Sequence, residues 1–158
     1  MVSLFPQPGP LLPGFPTLLI TGPYHSSAPI HLALTLNSEL GPQAHALILA
    51  PSRTLFKDAI LRLNDHWLYA NSGTGRNAAL ATSVTLLYPP TPVHLSLVLS
   101  MLCVPGTENQ SAGLHPKTAQ AVAPSLVVLA EPSRYFLPSV DPSMSSYVPP
   151  TALHLTLT

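Results

Sequence analysis

The stretch Thr17-Leu18-Leu19-Ile20-Thr21-Gly22-Pro23 is a short run of apolar and β-branched residues that stops at Gly-Pro. A run of this length, bounded by turn residues, reads as a buried strand entering a loop. Outward from it, Pro29 to Leu40 carries Ile30, Ala33, Leu34 and Leu40 at helical spacing, with Pro29 tolerable in the first turn and Gly41-Pro42 as a stop. A second wholly apolar run, Ala46-Leu47-Ile48-Leu49-Ala50, is too short for a helix and reads as a strand covered on both faces. It ends at Pro51-Ser52.

The alternation continues down the chain. From Thr54 to Tyr69 the residues Leu55, Phe56, Ala59, Ile60, Leu63 and Trp67 repeat at threes and fours, while Lys57, Asp58, Arg62 and Asp65 fall mostly on the other side. That spacing predicts one amphipathic helix. Asn71 to Arg76 reads as a flexible break, and Ser83 to Tyr88 as a strand halted by Pro89-Pro90. Thr91-Pro92 places a good cap and a favoured first helical residue ahead of a helix to Cys103, with Val93, Leu95, Val98, Leu99 and Leu102 as its apolar surface. Residues 105–124 are polar and aperiodic and read as a long mobile loop. Leu126 to Ala130 is the next apolar strand, ending at Glu131-Pro132-Ser133.

The ends differ in kind. Residues 1–16, with prolines at 6, 8, 10, 13 and 16, read as a disordered leader with neither a basic start nor an unbroken apolar segment for a secretion signal. Residues 138–158 form a proline-rich tail whose last residues, Ala152 to Thr158, alternate apolar and polar like an edge strand. Between them, residues 17–137 make one α/β domain: a three-layer fold built on a mostly parallel sheet covered on both faces. In such sheets ligands bind beyond the carboxyl ends of the strands. The loops at Gly22 to Pro29, Pro51 to Arg53, Pro89 to Pro92 and Glu131 to Tyr135 are therefore expected to share one rim.

Composition narrows the function classes. Of 158 residues, 46% are hydrophobic and 8% charged, which argues against a disordered, highly charged chain. Six basic against six acidic residues leave no global field for nucleic acid or an anionic membrane surface. Twenty prolines cut the apolar stretches into pieces shorter than the roughly twenty residues that a membrane span needs, so a soluble, non-membrane chain is expected. The single Cys103 closes no internal disulfide, in keeping with an intracellular, reducing compartment, and it excludes a cysteine-based zinc site. The seven histidines show no H-E-x-x-H or H-x-H spacing, and no G-x-S-x-G elbow is present, so no metal centre and no acyl-transfer site are expected.

Two segments carry motif chemistry. Gly22-Pro-Tyr-His-Ser-Ser-Ala-Pro29 sits between strand and helix, where a phosphate loop reads G-x-x-x-x-G-K-[ST]. Here Ser27 replaces the second glycine, Ala28 the lysine and Pro29 the magnesium-holding hydroxyl. What remains is Gly22, Ser26 and Ser27 at a helix start, a degenerate phosphate loop or an ordinary turn. Leu126 to Glu131 resembles a Walker B strand in which Ala130 holds the place of the metal-binding Asp and Glu131 that of a water-orienting carboxylate. A base without its metal ligand accomplishes little. For nucleic acid, Arg53 and Arg134 are expected on the rim, Arg76 and Lys117 elsewhere, and Tyr135-Phe136 as a stacking pair or as core.

The succession Leu-Leu-Ile-Thr-Gly-Pro, Ala-Leu-Ile-Leu-Ala-Pro-Ser-Arg, Leu-Leu-Tyr-Pro-Pro-Thr-Pro-Val-His-Leu and Ser-Leu-Val-Val-Leu-Ala-Glu-Pro-Ser-Arg-Tyr-Phe resembles the small, degenerate RecA-like recombinase paralogues, in particular the partners of SWIM-type zinc-finger proteins in Shu-type recombination complexes. The resemblance covers residues 17–147. It implies a truncated RecA-like P-loop NTPase fold and a nuclear accessory factor in homologous recombination and DNA repair. Such a factor acts without catalysis by binding a SWIM-type protein or a recombinase, with weak or indirect contact to single-stranded DNA. In that family another strand lies between the two motif strands, and here it is either missing or supplied by Leu153 to Thr158. No cofactor is expected on this reading. Two alternatives stand beside it: an active ATPase binding ATP and magnesium through an atypical loop, with Glu131 as base, and a truncated product without a unique fold.

Overall fold

A computed structural model describes residues 3–5, 9–14, 16–41, 43–102 and 123–137 with their side chains, and the backbone of 152–157. The chain builds β1 (Thr17–Thr21), α1 (Ala28–Leu40), β2 (Ala46–Leu49), α2 (Arg53–Leu63), α3 (His66–Asn71), α4 (Gly75–Thr82), β3 (Val84–Leu87), α5 (Pro92–Met101), β4 (Leu126–Ala130), one 3-10 turn (Pro132–Tyr135) and β5 (Ala152–Leu157). The five strands form one sheet in the order β1-β5-β4-β2-β3. Strands β4, β2 and β3 are parallel neighbours, with Ile48 opposite Val128 on one side and Leu86 on the other. Because β5 runs antiparallel to both β1 and β4, those two point the same way. The four apolar runs of the sequence are thus co-directional, but only β4, β2 and β3 pair in parallel; β5, inserted antiparallel between β1 and β4, makes the sheet mixed rather than mostly parallel.

Alternation along β2 and β4 divides the core. Ala46, Ile48, Ala50, Leu126, Val128 and Ala130 face α1, whose Leu32, Ala33 and Leu36 are buried against them. Leu47 and Leu49 face the other way and pack with Leu95 of α5 and with Tyr135. Strands buried on both faces have no polar side to show, which is why they read as continuous apolar runs. α2 joins the α1 side through Phe56, and α4 contacts α1 and β3.

Five expectations change. The run Thr17–Thr21, read as a buried strand, is an outermost strand of the sheet with Thr17, Leu19 and Thr21 exposed, because only its Leu18 and Ile20 face has a layer packed on it. The final strand is not an edge: β5 pairs with β1 from Thr17↔Thr156 to Thr21↔Ala152 and with β4 from Leu126↔Leu157 to Ala130↔Leu153. Alternation in the sequence shows strand character but not how many neighbours the strand has. The helix expected from Thr54 to Tyr69 is two helices, because Asn64 takes a left-handed conformation (φ 49) that ends α2, and Asp65 caps α3. The segment read as a flexible break holds the start of α4, entered from Thr74. The leader read as disordered is partly packed: Ser3 bridges to Leu11, Ser3 Oγ donates to the Pro10 carbonyl at 2.8 Å, and Leu4 and Leu12 touch the α1-side core. The loop at 105–124, but for its last two residues, and the proline-rich tail up to residue 151 lie outside the described residues.

Candidate functional site

The carboxyl ends of the co-directional strands meet in a cavity of about 100 Å3. Tyr24 and Ser26 reach it from the loop after β1, Pro51 and Ser52 from the loop after β2, Phe56 from α2 and Glu131 from the end of β4. Three of the expected rim loops therefore do converge. A cavity of this size holds a few waters or one small ion, since a water occupies about 30 Å3 in the liquid. Pockets for small molecules are several times larger, about 300–1,000 Å3.

The phosphate-loop residues separate. Gly22 has φ 107, a conformation that glycine adopts without strain, and it turns the chain out of β1. Ser26 lines the cavity, but Ser27 is fully buried and does not. Its Oγ donates to Asp65 Oδ2 at 2.6 Å, so with its one proton committed there it accepts from His25 Nδ1–H at 3.1 Å. The start of α1 also has little to offer an anion. The Ala28 amide donates to the His25 carbonyl, Pro29 has no N–H, and the Ile30 and His31 amides both donate to the Ser27 carbonyl. Anion binding at a helix start needs free amides, and these are spent.

Asp65 gathers what the loop does not use. Besides Ser27, His31 Nε2–H donates to its Oδ2 at 2.7 Å, and the Trp67 and Leu68 amides donate to Oδ1 at 3.0 Å each. Burial alone would raise its carboxyl, but the hydrogen bonds from Ser27, His31 and Leu68 outweigh that and hold it well below the usual carboxylate range. The His31 ring meets Trp67 edge-on, 5.2 Å between centroids. This cluster fastens the loop after β1 to the start of α3. Nothing in the helical spacing suggested it, although adjacent Asn64-Asp65 is the signature of one helix ending and another beginning.

Glu131 sits beyond β4 with φ 52, a left-handed backbone that non-glycine residues seldom take. Its carboxylate is ion-paired with Arg134, three residues on. Burial first, and then the charge of Glu131, push the Tyr24 phenol upward, with Arg134 acting in the opposite direction. Tyr24 therefore stays protonated at neutral pH. Arg53 is exposed at the start of α2, while Arg76 is remote from the rim and donates to Ser38 Oγ at 2.8 Å. Lys117 lies outside the described residues. The aromatic pair splits: Tyr135 is buried in the α5-side core, where burial pushes its phenol up to about 12, and Phe136 is exposed.

A wider groove of about 530 Å3, not foreseen from the sequence, runs between α1, α3 and α4 and is lined by His31, Thr35, Trp67, Arg76 and Asn77 among others. Among the described residues no group of His, Cys, Asp and Glu is arranged to hold a metal ion, and no helix is long and apolar enough to cross a membrane.

The largest departure from ordinary surface chemistry is on α5. Only Leu95 is buried there, while Val93, Leu97 and Met101, spaced four apart on one stripe, are 77%, 59% and 36% exposed. A helix that is apolar all round belongs between two layers rather than at a surface. Compared with known proteins, the chain matches no family model, no curated protein and no solved structure.

Proposed function

We propose that this chain is a non-catalytic, RecA-like accessory domain that acts by binding a protein partner through α5. The observation that carries the reading is the exposed stripe Val93, Leu97 and Met101 on a helix whose opposite side is already packed on the sheet. Apolar stripes of this kind are covered by association. Two further points favour a site without nucleotide chemistry: the small volume at the strand ends, and the commitment of the Ser27 hydroxyl and the first α1 amides to other groups. The RecA-like assignment itself draws on the resemblance, together with the position of β5 between the two motif strands β1 and β4, where that family carries a strand. In RecA-like sheets of co-directional strands the intervening strand is parallel, whereas β5 is antiparallel.

By the same resemblance the partner is a SWIM-type zinc-finger protein or a recombinase, the setting is recombinational repair in the nucleus, and contact with single-stranded DNA is weak or indirect. Of the two rim arginines, Arg134 is already paired with Glu131, which leaves Arg53 to meet a phosphate. Affinity capture with the wild-type chain and with Leu97→Glu tests the reading. The wild type should retain such a partner and the exposed-site variant should lose it, with both chains melting alike. Capture that is indifferent to Leu97→Glu removes α5 as the surface. Saturable, magnesium-dependent ATP binding in calorimetry would instead establish the active-ATPase alternative.

A further inference from the structure

Beyond the partner reading, and independent of it, lies the β1 edge of the sheet. β1 is an outermost strand, and among the described residues no backbone group pairs with its outer side. Proteins usually blunt such an edge with a charge, a proline or a bulge, because a bare one is a template for another strand. β1 has none of these within Thr17–Thr21, and its ladder with β5 is unbroken across all five residues. Leu18 and Ile20 pack on the α1-side core, whereas Leu19, on the opposite face, is 58% exposed.

The sequence of the strand reads nearly the same in both directions: Thr-Leu-Leu-Ile-Thr. We propose that β1 pairs antiparallel with β1 of a second copy of this chain, about a two-fold axis through Leu19, joining two sheets into one. In that register Thr17 meets the partner's Thr21, Leu18 meets the partner's Ile20 and Leu19 meets its own counterpart. Every opposed pair has residues of the same parity. Each outward-facing N–H therefore finds an outward-facing C=O, as an antiparallel ladder demands. The side-chain pairs are matched as well: threonine against threonine at both ends, branched aliphatics on the core face, and the two exposed Leu19 side chains covering each other. Such an interface is isologous, the same patch used twice.

The other edge, β3, lacks this property. It has four residues, so centring it on itself opposes residues of unlike parity, and any workable register leaves one end overhanging. Pro16 and Pro23 lack the N–H needed to extend the β1 ladder and limit it to a short, reversible contact.

Sedimentation of the full chain over a concentration series up to about 1 mM tests the proposal. A reversible monomer–dimer equilibrium is expected, weakened about tenfold or more in Leu19→Lys and in Leu19→Glu, where like charges oppose each other on the axis. Mixing the two variants should restore a one-to-one dimer, a result that no contact away from the axis would give. Leu87→Lys, on β3, should dimerise like the wild type. A chain that stays monomeric throughout, or a dimer indifferent to Leu19, overturns the proposal. Should the charged variants fail to fold, Leu19→Cys with Cys103→Ser gives a second test. Directly opposed residues on paired strands lie about 4.5–5.5 Å apart at Cα, within disulfide reach. Oxidised glutathione should then cross-link Leu19→Cys faster than Leu87→Cys in the same background, and equal rates would refute the pairing.

Discussion

Asp65 is 8% exposed on its side chain and accepts four hydrogen bonds, from Ser27, His31 and the amides of Trp67 and Leu68. Replacing it by Ala removes the cap of α3, which costs about 1 kcal/mol. The change also leaves the buried donors of Ser27 and His31 without an acceptor, at about 1–3 kcal/mol each. The expected loss is about 3–7 kcal/mol, a large part of the about 5–15 kcal/mol that holds a typical domain together. At about 2–4 °C per kcal/mol for a chain of this size, that corresponds to a fall of about 6–28 °C in Tm. Asp65→Asn keeps one acceptor for the amides and should lose less. The pH dependence follows from the sign of the shift. The folded carboxyl lies below its unfolded value, so its stabilisation is complete above about pH 4 and is lost as the pH falls through and below that point. Urea titrations of wild type and Asp65→Asn between about pH 5 and pH 2 should therefore show the gap narrowing toward the acid end. An Asp65→Ala cost below about 1 kcal/mol, or a gap between wild type and Asp65→Asn that does not change with pH, would refute this account of the cluster.

Two further substitutions probe the frame that carries the site. Ile48→Ala, at a fully buried position of β2 between β4 and β3, should cost about 2–5 kcal/mol in urea unfolding, since the sheet and α1 cannot close the space from both sides. Thr91→Ala should cost about 1 kcal/mol in a thermal melt followed by circular dichroism, because Thr91 Oγ1 accepts the His94 amide at the start of α5.

Of the candidate site, the sequence placed three of the four loops on one rim, the exception being Pro89 to Pro92, but could not say what their side chains would do. Ser26 and Ser27 are chemically identical neighbours. One lines the cavity, and the other is turned inward to Asp65, a residue 38 positions away. Tyr135 and Phe136 divide in the same way between core and surface because successive residues at the end of the 3-10 turn point in different directions. Asp65 itself looked like one more charge on the polar side of a helix, until the left-handed turn at Asn64 ended that helix just before it.

What the sequence determined alone is local. Short apolar runs bounded by Gly and Pro mark β1, β2, β3 and β4, and Thr91-Pro92 marks the start of α5, because turn chemistry, capping and, for β2 and β4, cover on both faces leave direct compositional traces. What only the tertiary structure decided is non-local. The insertion of β5 between β1 and β4 and the buried Ser27–Asp65–His31 contact join residues far apart in the chain, while the outer side of β1, unpaired among the described residues, and the exposed stripe on α5 follow from where the layers end. Strand character read along the chain does not distinguish an edge from an interior position, and a hydroxyl or carboxylate finds its partner only when the layers close. Those contacts are set by packing geometry, which no run of neighbouring residues contains.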